Sequence, residues 1–162
     1  KILPKPEEEE PKKKRRWSIY KEVVTYDVPG AAQVVMTVPT NNDNSARAFI
    51  PNELYDYTVN YDMYGVPDQM TINTASGNTY STGGNVANQG ALNFDGRDGT
   101  ALITVTSGPG GASQHEYTIT RTPARVRKTT TIYLFGFIRI KRSVELETYS
   151  AGADYSKKKR WL

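Results

Sequence analysis

The sequence has no cysteine and a single histidine among its 162 residues. The lack of thiols excludes a disulfide framework, a thiolate zinc site, an iron–sulfur cluster and a cysteine nucleophile. It leaves the cellular compartment open, because a chain of this length can bury a sufficient core without cross-links.

Long apolar runs are also missing. The longest, residues 132–140, includes Arg139 and is far shorter than the roughly 20 residues that a membrane-spanning helix requires. We therefore predict no membrane span. The chain begins with Lys1 and has no signal-peptide pattern, so we expect a processed product or a piece of a longer chain.

No motif in the sequence predicts catalysis. His115 lies in SQHEYT beside Ser113 and Glu116, but neighbours in an extended strand point to alternate faces, and nothing resembles a nucleophile elbow. We interpret His115 as a surface residue. The sequence thus predicts a protein that is not an enzyme and that needs no cofactor.

Residues 55–121 carry the clearest fold signal. Short runs rich in Thr, Val, Ile, Tyr and Phe alternate with Gly, Pro, Asn and Asp, which is typical of antiparallel strands joined by tight turns. We predict an all-β protein, an antiparallel β-sandwich over residues 17–149. Leu102 and Ile103 are candidate core residues of one strand.

The order GVPDQMTI, TGGNV, GALNFD, ITVTSGPGG and EYTITR within residues 55–121 resembles a small β-sandwich module. Such modules are found near the ends of secreted, surface-layer and phage-tail-like proteins. The resemblance implies a structural or adhesive accessory domain and no catalytic residues.

Two sets of residues in this region are candidate ligand sites. Tyr55, Tyr57 and Tyr61 share one face of a predicted strand, which predicts either half-buried packing or a platform for stacking sugars or bases. Asp95 and Asp98 of the DGRDG turn could bind Ca²⁺, but Asp-Gly is ordinary turn chemistry, so we predict no metal site.

Residues 129–149 give the strongest alternation in the chain, with aliphatic residues at most even positions. One straight strand of about 18 of these residues would span about 60 Å, whereas a compact domain of this size is about 40 Å across. We expect a long amphipathic C-terminal strand that either bends, at Gly136, or projects to pair with another chain.

The ends of the chain are basic and the middle is acidic. Residues 122–162 hold ten basic and three acidic side chains, and residues 55–121 hold two and six. We predict extended charged arms over residues 1–16 and 150–162, and assign to assembly the basic and tryptophan residues at Lys12, Lys13, Lys14, Arg15, Arg16, Trp17, Lys157, Lys158, Lys159, Arg160 and Trp161.

These features together predict a structural subunit of a large assembly with other protein subunits as partners, either in a virion (phage tail or capsid) or in an extracellular filament or surface layer. A carbohydrate-binding or adhesion module is one alternative. Nucleic-acid or other polyanion binding through the basic arms is another.

Overall fold

The computed structural model describes residues 18–108 and 114–162, and over these ranges the protein is all-β. Twelve strands form three four-stranded sheets in which every pairing is antiparallel. The predicted antiparallel all-β class is confirmed. The described residues include no helix long and apolar enough to cross a membrane.

Sheet A has the strand order β11-β10-β1-β12 and consists of β1 Tyr20–Asp27, β10 Arg125–Leu134, β11 Ile138–Thr148 and β12 Lys158–Trp161. Sheet B has the order β2-β9-β4-β7 and consists of β2 Gln33–Asn41, β4 Tyr55–Asp62, β7 Gln89–Asp95 and β9 His115–Pro123. Sheet C has the order β3-β8-β5-β6 and consists of β3 Ser45–Phe49, β5 Asp68–Thr74, β6 Thr79–Ser81 and β8 Ala101–Ser107.

Sheets B and C contribute to one hydrophobic core. Alternate residues of each strand are buried, because successive side chains of a strand point to opposite faces. In β8, Ala101, Ile103 and Val105 are buried while Leu102 is 43 % exposed. The prediction that Leu102 and Ile103 both lie in the core was therefore wrong for Leu102, which alternation places on the outer face.

His115 is also placed differently from the prediction. It is 2 % exposed, and its Nε2 lies 3.2 Å from the Ser45 hydroxyl oxygen. The hydrogen bond joins β9 of sheet B to β3 of sheet C. His115 is thus a buried residue that links two sheets, and not a surface histidine.

The predicted single strand over residues 129–149 is a hairpin, formed by β10 and β11. The chain bends at Phe135 and Gly136, which have φ values of 54° and 81°, and the Phe137 amide donates to the Leu134 carbonyl. Positive φ at both central residues is the requirement of a type I′ hairpin turn. Of the two expected alternatives, the structure takes the bend at Gly136.

Sheet A continues directly from sheet B, because only Ala124 separates β9 from β10. The Leu54 carbonyl accepts hydrogen bonds from the amides of both Ala124 and Arg125. Arg125 is 8 % exposed, and its side chain donates to the backbone oxygens of Glu53 and Tyr55, each at 2.7 Å. Arg125 thus fixes the beginning of β10 to the edge of the core.

Candidate assembly surface

Sheet A concentrates the positive charge of the described chain. Its four strands carry ten basic and four acidic side chains, whereas the eight strands of sheets B and C carry two basic and five acidic ones. The basic C-terminal part of the sequence therefore supplies most of the positive charge of sheet A, and sheets B and C carry the acidic excess. Such a division favours binding between unlike surfaces.

β11 forms one open edge of sheet A. It is 11 residues long, and residues 138–145 are all exposed. Ile140 and Val144 are 51 % and 50 % exposed although they are aliphatic. A long edge strand with exposed apolar residues offers unpaired backbone groups to another chain.

β12 forms the opposite edge and corrects the prediction of an extended C-terminal arm. Residues 158–161 pair antiparallel with β1, in a register that places Lys158 beside Val24 and Trp161 beside Lys21. The preceding segment is held by Tyr155, whose ring packs against Tyr26 with centroids 5.3 Å apart. Residues 150–162 thus fold back on sheet A, because a strand edge supplies backbone partners that a sequence pattern does not reveal.

The basic residues of β12 border a cleft on sheet A. The cleft has a volume of about 270 Å³. Its lining residues are Glu22, Val24, Tyr26, Lys128, Lys158, Lys159 and Arg160. Arg160 donates to the Glu22 carboxylate at 2.9 Å, and Lys128 lies 3.7 Å from Glu145 and 3.6 Å from Glu147. Nearby Glu147 raises the pKa of Lys128.

One end of sheet A is apolar and aromatic, and the sequence patterns pointed to only one of its exposed aromatic residues, Trp161. Phe135, Phe137 and Trp161 are 58 %, 73 % and 57 % exposed. The Phe135 amide donates to the Ile19 carbonyl at 2.7 Å, which brings the hairpin turn against the start of β1. Besides Trp161, the sequence signal for this patch is the pair of phenylalanines that flank a turn glycine.

The predicted tyrosine platform lies mostly in the core. Tyr55 and Tyr57 are 6 % and 4 % exposed, and the Tyr57 ring stacks on Phe94 with centroids 5.3 Å apart. Their hydroxyls accept hydrogen bonds from the backbone amides of Gly30 and Asn52. Burial raises the pKa of Tyr57. Tyr55 and Tyr57 therefore cannot stack on a ligand here, whereas the partly buried Tyr61 lines a surface cleft.

The acidic side chains of the Asp-Gly turn bind other side chains of the same protein. Asp95 pairs with Arg97 at 2.5 Å and with Arg125 at 3.3 Å. Asp98 accepts a hydrogen bond from the Tyr80 hydroxyl at 2.7 Å. No group of three or more His, Cys, Asp or Glu residues that could hold a metal ion occurs in residues 18–108 and 114–162.

The two basic runs predicted to act in assembly have different outcomes. Lys158, Lys159, Arg160 and Trp161 lie together on the edge of sheet A, and Lys157 immediately precedes them. Residues 12–17, which contain the other run, lie outside the described residues. The structure thus assigns the C-terminal run to sheet A.

Comparison with known proteins finds no relative. No protein-family model matches the chain, and no curated protein or solved structure matches it at a significant level.

Proposed function

We propose that this protein is a non-enzymatic structural subunit of a large assembly and that sheet A is the surface through which it joins other subunits. In this proposal sheets B and C pack as a β-sandwich and act as the rigid body that holds sheet A. The shared core of the two sheets, with buried residues from β4, β5, β8 and β9, supports that arrangement.

The observation that carries the proposal is the exposure of sheet A. A sheet of few strands needs an apolar face covered by other structure to be stable. Yet residues 138–145 of β11 are exposed along their whole length, as are Phe135, Phe137 and Trp161 at one end of the sheet. Exposed apolar patches of this kind mark sites of interaction.

The mode of binding we propose is strand addition. An extended segment of another chain that pairs with an open edge gains main-chain hydrogen bonds, and its side chains provide specificity. β11 suits this mode because of its length, whereas β12 is short and entirely basic except for Trp161. Lysine-rich short edges are a common protection against unwanted pairing.

The setting we propose is a virion or an extracellular filament or surface layer. It is supported only by the resemblance of residues 55–121 to modules of secreted, surface-layer and phage-tail-like proteins.

Cysteine labelling tests the proposal cleanly, because the native chain has no cysteine. The single-cysteine variant Ser143→Cys reports on the open edge β11. Lys159→Cys on the basic edge β12, and Asn93→Cys and Thr106→Cys at exposed positions of sheets B and C, are matched controls. We expect maleimide labelling of Ser143→Cys to slow at least several-fold as the full chain is concentrated into its assembled form, with the controls unchanged. Equal rates at all positions, together with a monomeric mass at every concentration, would overturn the proposal.

Polyanion binding is a second candidate, favoured by the cleft where Lys128, Lys158 and Lys159 meet. Release of counterions from a bound polyanion would make the affinity fall steeply with salt. The measurement is the salt dependence of binding to single-stranded DNA, for the native chain and for the double variant Lys158→Gln, Lys159→Gln. If the slope of affinity against salt concentration is the same for the two proteins, this cleft is excluded as the polyanion site. The carbohydrate alternative loses most of its stacking platform, since Tyr55 and Tyr57 are buried.

A further inference from the structure

The sequence of β11 is partly complementary to itself when read in the opposite direction. Of the five residue pairs at equal distances from Ser143, three match in opposite charge or in apolar character, whereas Arg142 and Val144, and Ile138 and Thr148, do not. Lys141 matches Glu145, Arg139 matches Glu147, and Ile140 matches Leu146. An antiparallel pair of identical strands centred on Ser143 would place each of these residues directly opposite its match.

We infer that β11 of one copy pairs antiparallel with β11 of a second copy, centred on Ser143, to form one continuous eight-stranded sheet from two copies. The inference rests on the proposed function and names the partner of the open edge. A contact in which both copies use the same strand has two-fold symmetry and closes at a dimer.

The edge of β11 is available for this pairing. In sheet A it pairs with β10 on one side only, and it is the terminal strand of the sheet. Within the described residues, Arg139, Lys141 and Arg142 form no ion pair with an acidic side chain.

The existing pairing with β10 extends the pattern of charge. Lys128 of β10 lies directly opposite Glu145 of β11, and their charged atoms are 3.7 Å apart. In the dimer, Lys141 of the second copy would approach Glu145 from its other side. A row of alternating charge would then cross the joined sheet, and directly opposed pairs of unlike charge stabilise antiparallel strands.

Other registers of the same strand are less favourable. A pairing centred on Arg142 would place Arg142 opposite itself. Like charges directly opposed destabilise a sheet. A pairing centred on Val144 would oppose unlike charges only at Lys141 and Glu147, whereas the pairing centred on Ser143 opposes them both at Lys141 and Glu145 and at Arg139 and Glu147. The β10–β11 pairing is irregular between Ile132 and Tyr133, near Ile140. The regular part of the new contact would therefore run from Lys141 to Glu145, with the Arg139–Glu147 and Ile140–Leu146 pairs beyond it.

β12 cannot pair with itself in the same way. Three of its four residues, Lys158, Lys159 and Arg160, are cations, and two copies side by side would place like charges in contact. The two open edges of sheet A are therefore different in kind, and the self-complementary edge is β11.

A charge exchange tests the inference. Lys141→Glu makes both members of the central pair acidic, and Glu145→Lys makes both basic while leaving Glu147 to pair with Lys128. By sedimentation we expect each variant alone to raise the dimer dissociation constant roughly tenfold, because two opposed pairs change from attraction to repulsion. An equimolar mixture should regain the native affinity, since unlike charges again face each other. Circular dichroism and thermal melting confirm that both variants remain folded.

Cross-linking tests the register. With a short bifunctional maleimide, the Ser143→Cys variant should give a covalent dimer far faster than Ser81→Cys, which lies on the exposed edge strand β6 of sheet C. The inference would be overturned if the mixture of the two charge variants had a dimer dissociation constant no lower than that of each variant alone. Association without preferential cross-linking through residue 143 would also overturn the inference, and so would growth into open polymers. In either case the proposed function would still stand, with a different contact between the copies. A chain that is monomeric throughout would overturn both.

Discussion

The guanidinium of Arg125 lies 2.7 Å from the Asp56 carboxylate, and the same nitrogen donates to the Tyr55 carbonyl at 2.7 Å. Arg125 opens β10 of sheet A, while Asp56 and Tyr55 belong to β4 of sheet B. The contact joins the proposed assembly surface to the core. Removing the buried arginine would leave backbone oxygens without their donor.

We therefore expect Arg125→Ala to lower the free energy of unfolding by about 2–3 kcal/mol, because hydrogen bonds from a charged donor to buried acceptors are lost. Arg125→Lys should retain only part of the lost stability, since an ammonium cannot reproduce the planar fork of donors. Urea unfolding measures both. Arg97→Ala is the matched control, because Arg97 is exposed. A loss of unfolding free energy as large as that of Arg125→Ala would contradict this explanation.

Asp95 gives the stability a pH dependence. The Arg97 side chain lowers the pKa of this carboxyl from 3.8 to about 2, with smaller contributions from the Arg97 amide and from Arg125. Because the folded pKa is below the unfolded one, the stabilisation is complete at pH values well above 4 and is lost as the pH falls towards 2.

Asp95→Asn should accordingly destabilise the fold by on the order of 1–2 kcal/mol at pH 7, and the difference from the native chain should vanish near pH 2. The measurement is denaturant unfolding at several pH values. A difference that stays constant from pH 7 to pH 2 would show that the carboxylate does not act through its charge.

The hairpin turn between β10 and β11 is sensitive to the residue at each position. Gly136 has a φ of 81°, and a Cβ there would lie 3.0 Å from the Trp161 ring. We expect Gly136→Ala to cost about 1–2 kcal/mol from the left-handed backbone conformation. Phe135 has a φ of 54° in the same turn, and Phe135→Asn should instead stabilise it by about 0.5–1 kcal/mol, since asparagine favours this position. Thermal melting of the two variants should therefore shift in opposite directions.

Substitutions at Tyr57 test whether this residue belongs to the core or contacts a ligand. Its hydroxyl accepts a hydrogen bond from the Asn52 amide at 2.7 Å, so Tyr57→Phe should cost about 1 kcal/mol. Tyr57→Ala should cost about 3–5 kcal/mol, because the ring that stacks on Phe94 leaves a cavity. Tyr61→Ala is the comparison, since Tyr61 is only partly buried. Full stability of Tyr57→Ala would contradict the core assignment.

Much of the strand pattern could be predicted because its cause is local. Alternation in residues 55–62 reflects the pleat of a strand, and the glycines at 77, 83 and 99 take the positive φ values that turns require. The bend at Gly136 was among the predicted alternatives for the same reason. The errors at Leu102 and His115 arose where burial depends on which face of a strand meets the core.

Sequence alone thus determined the all-β class, the turns and the uneven distribution of charge, because backbone preferences and residue types act over a few residues. Only the tertiary structure decided that residues 158–161 form an edge strand on β1, that Tyr55 and Tyr57 lie in the core, and that the exposed residues of sheet A lie together. Each of these outcomes depends on pairing or packing between residues far apart in the chain, and the free energy of such contacts is not encoded in any one segment.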